Sequence, residues 1–226
     1  MLDCCVVFGH FRDDRVTRTH LRLLRRLNPY PVVAVCDAPE SAVAGALDVG
    51  RAAGPSGDDS AWAGCDSLLY RWFRHGGLRA RRYIYLEWDA LATAPLRECY
   101  DAVWDADAAA SKVYRVGADY WSWFEQVPRL PAPLRGRAAG VSPTNGVLLS
   151  HRALEAVASA PTPPNVFAEL RLGSLLRGHG FEPVELPPRR AATNTYHTEL
   201  VRFERGARGL FHPVKARPPR ANLDPK

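Results

Sequence analysis

No apolar run in this 226-residue chain approaches the roughly 18 to 20 residues that a helix needs to cross a bilayer, so a helical membrane span is not expected. The opening residues, Met1 to Val7, are too short a run for a leader and read as a strand. The five cysteines, at positions 4, 5, 36, 65 and 99, are odd in number and include no CxxC pair, which argues against a disulfide framework or a zinc knuckle. Cys4, Cys5 and Cys36 fall in apolar strand-like runs where free thiols are ordinary, and a reducing, cytoplasmic setting is expected. Long Lys/Arg runs and basic strands interleaved with aromatics are also missing. Nucleic acid is therefore not the expected partner, despite a net charge of +6 and a pI near 9.3. The basic residues are mainly arginine, scattered over the whole length, and their excess favours anionic ligands. No internal repeat is present. What is there suffices for one sizeable domain: 46% apolar and 10% aromatic residues exclude wholesale disorder.

Along the chain, apolar Cys4–Phe8 leads into Gly9-His10-Phe11-Arg12. Asp13 or Asp14 then caps a helix running to Leu27, stopped by Asn28-Pro29. Pro31–Cys36 reads as a second buried strand ending at Asp37. This strand–helix–strand opening predicts a parallel pair with a right-handed crossover. Residues 50–60 have loop chemistry, and Trp62 to His75 reads as a helix ended by Gly76-Gly77. A strand at Tyr83–Leu86 and another at Ala108–Val113 follow. Val127 to Gly140, with three prolines and two glycines, reads as a loop and a candidate lid. A short strand at Val147–Leu149, a helix at His151–Ala158, a helix from Val166 to Arg177 and a late strand at Phe181–Leu186 complete the body. Strands alternating with helices in a chain too short for a barrel give an α/β class with an open, mostly parallel sheet flanked by helices. Ligands of such sheets gather beyond the C-terminal ends of the strands. The domain is expected to span residues 1–215, with a loose proline-rich tail at 216–226.

The most informative stretch is Arg82 to Asp89, an apolar strand that ends in two carboxylates one residue apart. In an extended strand Glu87 and Asp89 share a face while Trp88 turns away. Adjacent carboxylates repel by roughly 1 to 4 kcal/mol at 4 Å, depending on the dielectric. A divalent cation with a bound phosphate compensates that repulsion; a pair solvated at the surface is the competing reading, and spacing alone leaves both open.

Taken in order, Gly9 to Arg12, Asp37, Cys65-Asp66-Ser67, Glu87-Trp88-Asp89, Asn145-Gly146, Phe167-Ala168-Glu169 and His212-Pro213-Val214-Lys215 resemble the GT-A class of nucleotide-sugar-dependent glycosyltransferases, whose fold is Rossmann-like. The resemblance covers about residues 2–215. It implies Mn²⁺ or Mg²⁺ held by Asp89, with Glu87 in place of the usual first Asp, and by the late imidazole of His212. It implies donor contacts from Gly9, His10, Arg12, Asp37, Asp66, Glu87 and Lys215. A UDP- or GDP-sugar is the implied donor, and a saccharide or other hydroxyl compound the implied acceptor. Asn145-Gly146 stands where the acceptor-side turn is found, and Trp121 and Trp123 are sugar-stacking candidates, although core is the competing fate of both. Glu169 stands where inverting members keep the base, so transfer with inversion is expected. Leu170 replaces the second acid that many relatives carry, which keeps retention as an alternative. Two other functions compete: a nucleotidyltransferase, disfavoured because no Gly-rich phosphate loop follows the first strand, and a non-catalytic module that binds nucleotide sugars or nucleic acid.

Overall fold

The computed structural model describes residues 1–37, 42–50, 64–142, 146–163, 165–187, 191–193 and 208–213. Asn145, Lys215, the 216–226 tail and most of the 50–60 loop lie outside them.

The chain opens as the sequence predicts. Strand β1 (Leu2–Gly9) leads into helix α1 (Arg15–Leu27), whose N-cap Asp14 accepts a bond from the Thr17 amide at 2.8 Å. Asn28 stops the helix. Its Nδ2 donates to the Leu24 carbonyl at 2.8 Å while its Oδ1 accepts from the Leu96 amide at 2.8 Å, so one buried side chain closes one helix and starts another. Strand β2 (Val32–Cys36) and the short β3 (Leu47–Asp48) follow, then helix α2 (Cys65–Arg74), strands β4 (Ala80–Glu87) and β5 (Leu91–Ala92), and helix α3 (Leu96–Cys99). Next come β6 (Ala108–Ala110), β7 (Val113–Arg115), helix α4 (Ala132–Arg135), β8 (Ala139–Val141), β9 (Val147–Ser150), helix α5 (His151–Ser159) and helix α6 (Ala168–Gly178). Strands β10 (Val184–Glu185), β11 (Ala191–Thr193) and β12 (Leu210–His212) complete the order.

Seven strands form the main sheet in the order β10-β6-β9-β4-β1-β2-β3. All neighbours are parallel except β9, which runs against both β4 and β6. The register sets Gly9 opposite both Val35 and Glu87, so three strand ends meet at one edge. A second sheet, β11-β12-β5, brings the late chain to the segment just past β4, through Leu210↔Ala92 and Phe211↔Leu91.

Period-two alternation divides the core between the two faces. Val6, Phe8, Ile84, Leu86 and Trp88 pack towards α1 and α3. Val7, Tyr83 and Tyr85 pack towards α2, α5 and α6. Glu87, one residue beyond Leu86, therefore emerges on the α2/α6 side.

Several boundaries differ from expectation. Residues 127–140 are not an open lid. A 3-10 segment at Ser122–Arg129 and helix α4 occupy half of it, and Leu130 and Ala138 are buried with Val166 and Leu170 in a small core of their own. Two of the three prolines that suggested a loop, Pro131 and Pro133, sit at the N-cap and in the first turn of α4, where a missing N–H costs nothing, and Pro128 lies within the 3-10 segment. The strand expected at 108–113 is two strands in different sheets, β6 and β7. The late strand shortens to Val184–Glu185, and α6 starts at Ala168, after Asn165 in the left-handed region (φ 56°). Among the described residues no helix is long and apolar enough to cross a membrane.

Candidate active site

β4 delivers the acidic tip, but not in the expected geometry. The strand ends at Glu87, and the Ala90 amide closes a turn on the Glu87 carbonyl at 2.9 Å. Asp89 therefore sits in a turn, and strand alternation does not orient it. Both carboxylates are internal, with Glu87 4% and Asp89 6% exposed, so the solvated-surface reading fails. Burial first, and the nearby Asp89 second, push the Glu87 carboxyl well above the usual carboxylate range. Its Oε1 is buried with no hydrogen-bond partner among the described residues. An arrangement of this kind costs stability unless something else neutralises it.

His212, carried by β12, places Nε2 3.2 Å from Asp89 Oδ1. His20 approaches the same turn from α1. It is 1% exposed, and its Nδ1 lies 2.8 Å from the Trp88 carbonyl. A carbonyl only accepts, so Nδ1 carries the proton and Nε2 presents a lone pair, with no hydrogen-bond partner among the described residues. Burial lowers the His20 pKa, with the Trp88 carbonyl and Asp89 pulling the other way. Nothing in the ligand spacing of the sequence singles out His20. The inward stripe of α1, Thr17, His20 and Leu24, was the available signal of its burial.

On the other face of β4, Tyr85 Oη donates to the Cys65 carbonyl at 2.9 Å, which ties the start of α2 to the strand. Burial and then Glu87 raise the Cys65 thiol well above its ordinary range. Asp66, expected at the donor, is 1% exposed. Its carboxylate accepts from Arg171 Nε at 2.9 Å and from Arg171 Nη2. Burial works to lower the Arg171 guanidinium, but Asp66 overrides it and raises it. Glu169 is half-buried in the first turn of α6, where Ser142 Oγ donates to its Oε1 at 2.8 Å. Its charge adds, as a lesser cause, to the raising of the Glu87 carboxyl. Arg171 and Ser142 did not stand out in the sequence.

The remaining candidates are placed as follows. Gly9 has no room for a side chain, because a Cβ there would stand 2.3 Å from Tyr85 Oη. Internal packing thus accounts for that glycine without a ligand. His10 is fully buried, with Nδ1 donating to the Arg12 carbonyl at 3.3 Å. The Arg12 guanidinium lies 4.2 Å from the Trp88 ring centroid, beside the acidic turn. Asp37 is half-buried just past β2, at the same sheet edge. Gly146 is buried with φ +98°. Trp121 stacks on Tyr114 at 4.6 Å, and Trp123 stacks on Phe167 at 4.2 Å, so each ring has one face covered by protein.

A divalent ion fits part of this arrangement. Among the described residues no group of three His, Cys, Asp or Glu side chains is placed to hold a metal. Two donors at neighbouring octahedral positions, each about 2.1 Å from an ion, stand about 3 Å apart. Asp89 and His212 meet that separation. Two protein donors completed by diphosphate oxygens and water are a usual way to hold Mg²⁺ or Mn²⁺.

No family profile matches this sequence, and no curated protein matches it. Solved structures do. Mouse xyloside xylosyltransferase 1 superposes with a TM-score of 0.51 at 12% identity, over 92% of this chain and 97% of its own. The galactosyltransferase LgtC, solved with donor and acceptor sugar analogues, gives 0.50 at 11% identity, over 84% of this chain and 76% of its own. The mannosyltransferase PcManGT from Pyrobaculum calidifontis, solved with GDP-Man and Mn²⁺, gives 0.48 at 14% identity, over 81% of this chain and 54% of its own. The open, mostly parallel sheet flanked by helices is thus the GT-A fold that the xylosyltransferase and LgtC display.

Proposed function

We propose that this protein is a glycosyltransferase that moves a sugar from a nucleoside diphosphate donor to a hydroxyl acceptor, aided by a divalent cation. The observation that carries the reading is the 3.2 Å approach of His212 to Asp89 at the end of the central strand, where the buried Glu87 Oε1 has no hydrogen-bond partner among the described residues. Asp89 and His212 would hold the cation, whose charge would offset that of the buried Glu87. When bound, Mn²⁺ or Mg²⁺ neutralises the charge that develops on the departing nucleoside diphosphate. The donor lies at the shared edge of β1, β2 and β4, within reach of Arg12 and Asp37. UDP- and GDP-sugars are the donors to try first, and a saccharide is the acceptor class to try with them.

Glu169 acts as general base. Its carboxylate takes the proton from the acceptor hydroxyl while that oxygen bonds to the anomeric carbon and the carbon–diphosphate bond breaks. Attack from the face opposite the leaving group inverts the anomeric centre. General-base assistance of this kind contributes typically about 10² to 10⁴-fold. Ser142 Oγ donates to one Glu169 oxygen and so orients the carboxylate.

A thermal-melt screen across UDP-, GDP- and CDP-sugars, with and without MnCl₂, followed by assay of the released nucleotide, tests the proposal. At least one donor should raise the melting temperature only with Mn²⁺ and release a nucleoside diphosphate. Asp89→Ala should abolish the Mn²⁺-dependent shift and lower turnover by more than about 100-fold, since even outer-shell changes at metal sites cost about 10 to 100-fold. Equal turnover in Asp89→Ala would remove the cation from the reading. Release of pyrophosphate would replace it with nucleotidyl transfer.

A further inference from the structure

A buried ion pair joins two helices of the site and has no part in the chemistry above. Arg171 is 5% and Asp66 1% exposed. The guanidinium gives Nε and Nη2 to Asp66, and Nη1 to the Val166 carbonyl at 2.7 Å and, more weakly, to the Pro163 carbonyl at 3.4 Å. We propose that Arg171 and Asp66 form a positioning pair that fixes the first turn of α6, and with it the Glu169 carboxylate, against the acceptor hydroxyl. Asp66 serves the helix rather than the donor. The inference rests on the glycosyl-transfer reading with Glu169 as base.

Three observations support it. The start of α6 lacks the usual side-chain cap: its N-cap residue is Phe167, which makes no capping bond. The segment before it is held instead by Arg171, which reaches back from the helix to the Val166 carbonyl, and from outside by Gln126 Oε1, which accepts from the Phe167 amide at 2.8 Å. Asp66, for its part, follows Cys65, whose carbonyl is tied to Tyr85 two residues before Glu87. The contacts thus run from the acidic strand through Tyr85, α2 and the ion pair to the helix that bears the base. Lastly, residues two apart on a helix point about 200° apart. Arg171 therefore faces α2 while Glu169 faces Ser142, and the influence of one on the other passes through backbone placement. A pair of this kind is a poor source of stability, because well-packed apolar residues in its place are often neutral or stabilising. They would fill the space but lack the directional hold on Val166.

The test compares the parent with Arg171→Lys, Asp66→Asn and the apolar double replacement Asp66→Leu/Arg171→Met. The donor is the nucleotide sugar that gives turnover with Mn²⁺, and the acceptors are p-nitrophenyl glycosides. Arg171→Lys keeps the charge and loses the fork. It should lower kcat for transfer about 10 to 100-fold, as misplacement of a reacting group by about 1 Å does. Donor Kd, measured by calorimetry, should stay within about threefold. Asp66→Asn should move kcat in the same direction. The double replacement should regain the melting temperature lost by the single variants without regaining kcat. Recovery of both stability and kcat in the double variant, or an unchanged kcat in Arg171→Lys, would reduce the pair to a structural contact and overturn the inference. A parent that transfers sugar from none of the donors removes the glycosyl-transfer reading instead, and this inference with it.

Discussion

The contact between Gly9 and Tyr85 offers a sharp energetic test of how the site edge is built. A methyl group added at Gly9 would meet Tyr85 Oη at 2.3 Å and ring atoms Cζ and Cε2 at 2.8 and 2.9 Å. The phenol must then move and give up its 2.9 Å bond to the Cys65 carbonyl. Overpacking of this kind costs about 1 to 3 kcal/mol. Breaking a buried hydrogen bond adds about 1 to 3 kcal/mol. Gly9→Ala should thus destabilise the fold by about 2 to 6 kcal/mol. Tyr85→Phe loses only the hydroxyl and should cost about 0.5 to 1.5 kcal/mol. In the double variant the nearest clash is gone while the two ring-carbon contacts persist. Its loss should therefore fall below the sum of the singles by about 1 to 2 kcal/mol, within the range that contacting residues show. Guanidinium unfolding followed by tryptophan fluorescence measures all three. Losses that add to within about 0.5 kcal/mol would refute the packing explanation and return Gly9 to a role in ligand approach.

Two further outcomes follow from ionisable groups, one half-buried and the others buried. Arg152, and Ser150 Oγ at 2.7 Å, bond the Asp107 carboxylate, and the Arg152 bond outweighs burial to lower its pKa. A depressed carboxylate pKa stabilises the fold fully above the unfolded value of about 3.9 and loses that contribution as pH falls. Asp107→Asn should accordingly melt below the parent at pH 7, with the gap closing below about pH 4; a gap that is constant from pH 3 to 8 would contradict this. All five cysteines are buried, and burial above all pushes the Cys4 and Cys5 thiols up to about 12. Iodoacetamide at pH 7.5 should leave the native chain unlabelled by mass spectrometry and add five groups in guanidinium; rapid native labelling would count against the packing of β1.

How far the sequence carried depended on whether the signal was local. Asp14, the α1 apolar stripe and Asn28-Pro29 fixed a helix within the first strand–helix–strand unit because cap, periodicity and stop all lie within 15 residues. The acidic tip was legible as residue types. The turn that takes Asp89 out of the strand was not, because it depends on where pairing with β1 ends. Prolines misled between 127 and 140, since the same residue that ends one helix begins another. Arg171 and Ser142 were invisible for a plainer reason. Their partners Asp66 and Glu169 lie 105 and 27 residues away, and no spacing rule links them. Of the candidates, Asn145 and Lys215 fall outside the described residues, whereas Asp89 and His212, 123 positions apart in sequence, come within hydrogen-bonding range.

That last approach is made by a small, three-stranded sheet apart from the main one. His212 reaches the tip of β4 because β12 pairs with β5, two short strands held by the Leu210 and Phe211 register, by the Thr93 amide on the Gly209 carbonyl at 2.9 Å and by Arg208 on Glu98 at 2.6 Å. The seven-stranded platform can therefore be complete while its imidazole is still elsewhere. In the proposed site the imidazole joins the acidic turn only when the segment around β12 docks beside β5, and any ligand bridging Asp89 and His212 would act as a clasp that keeps it there.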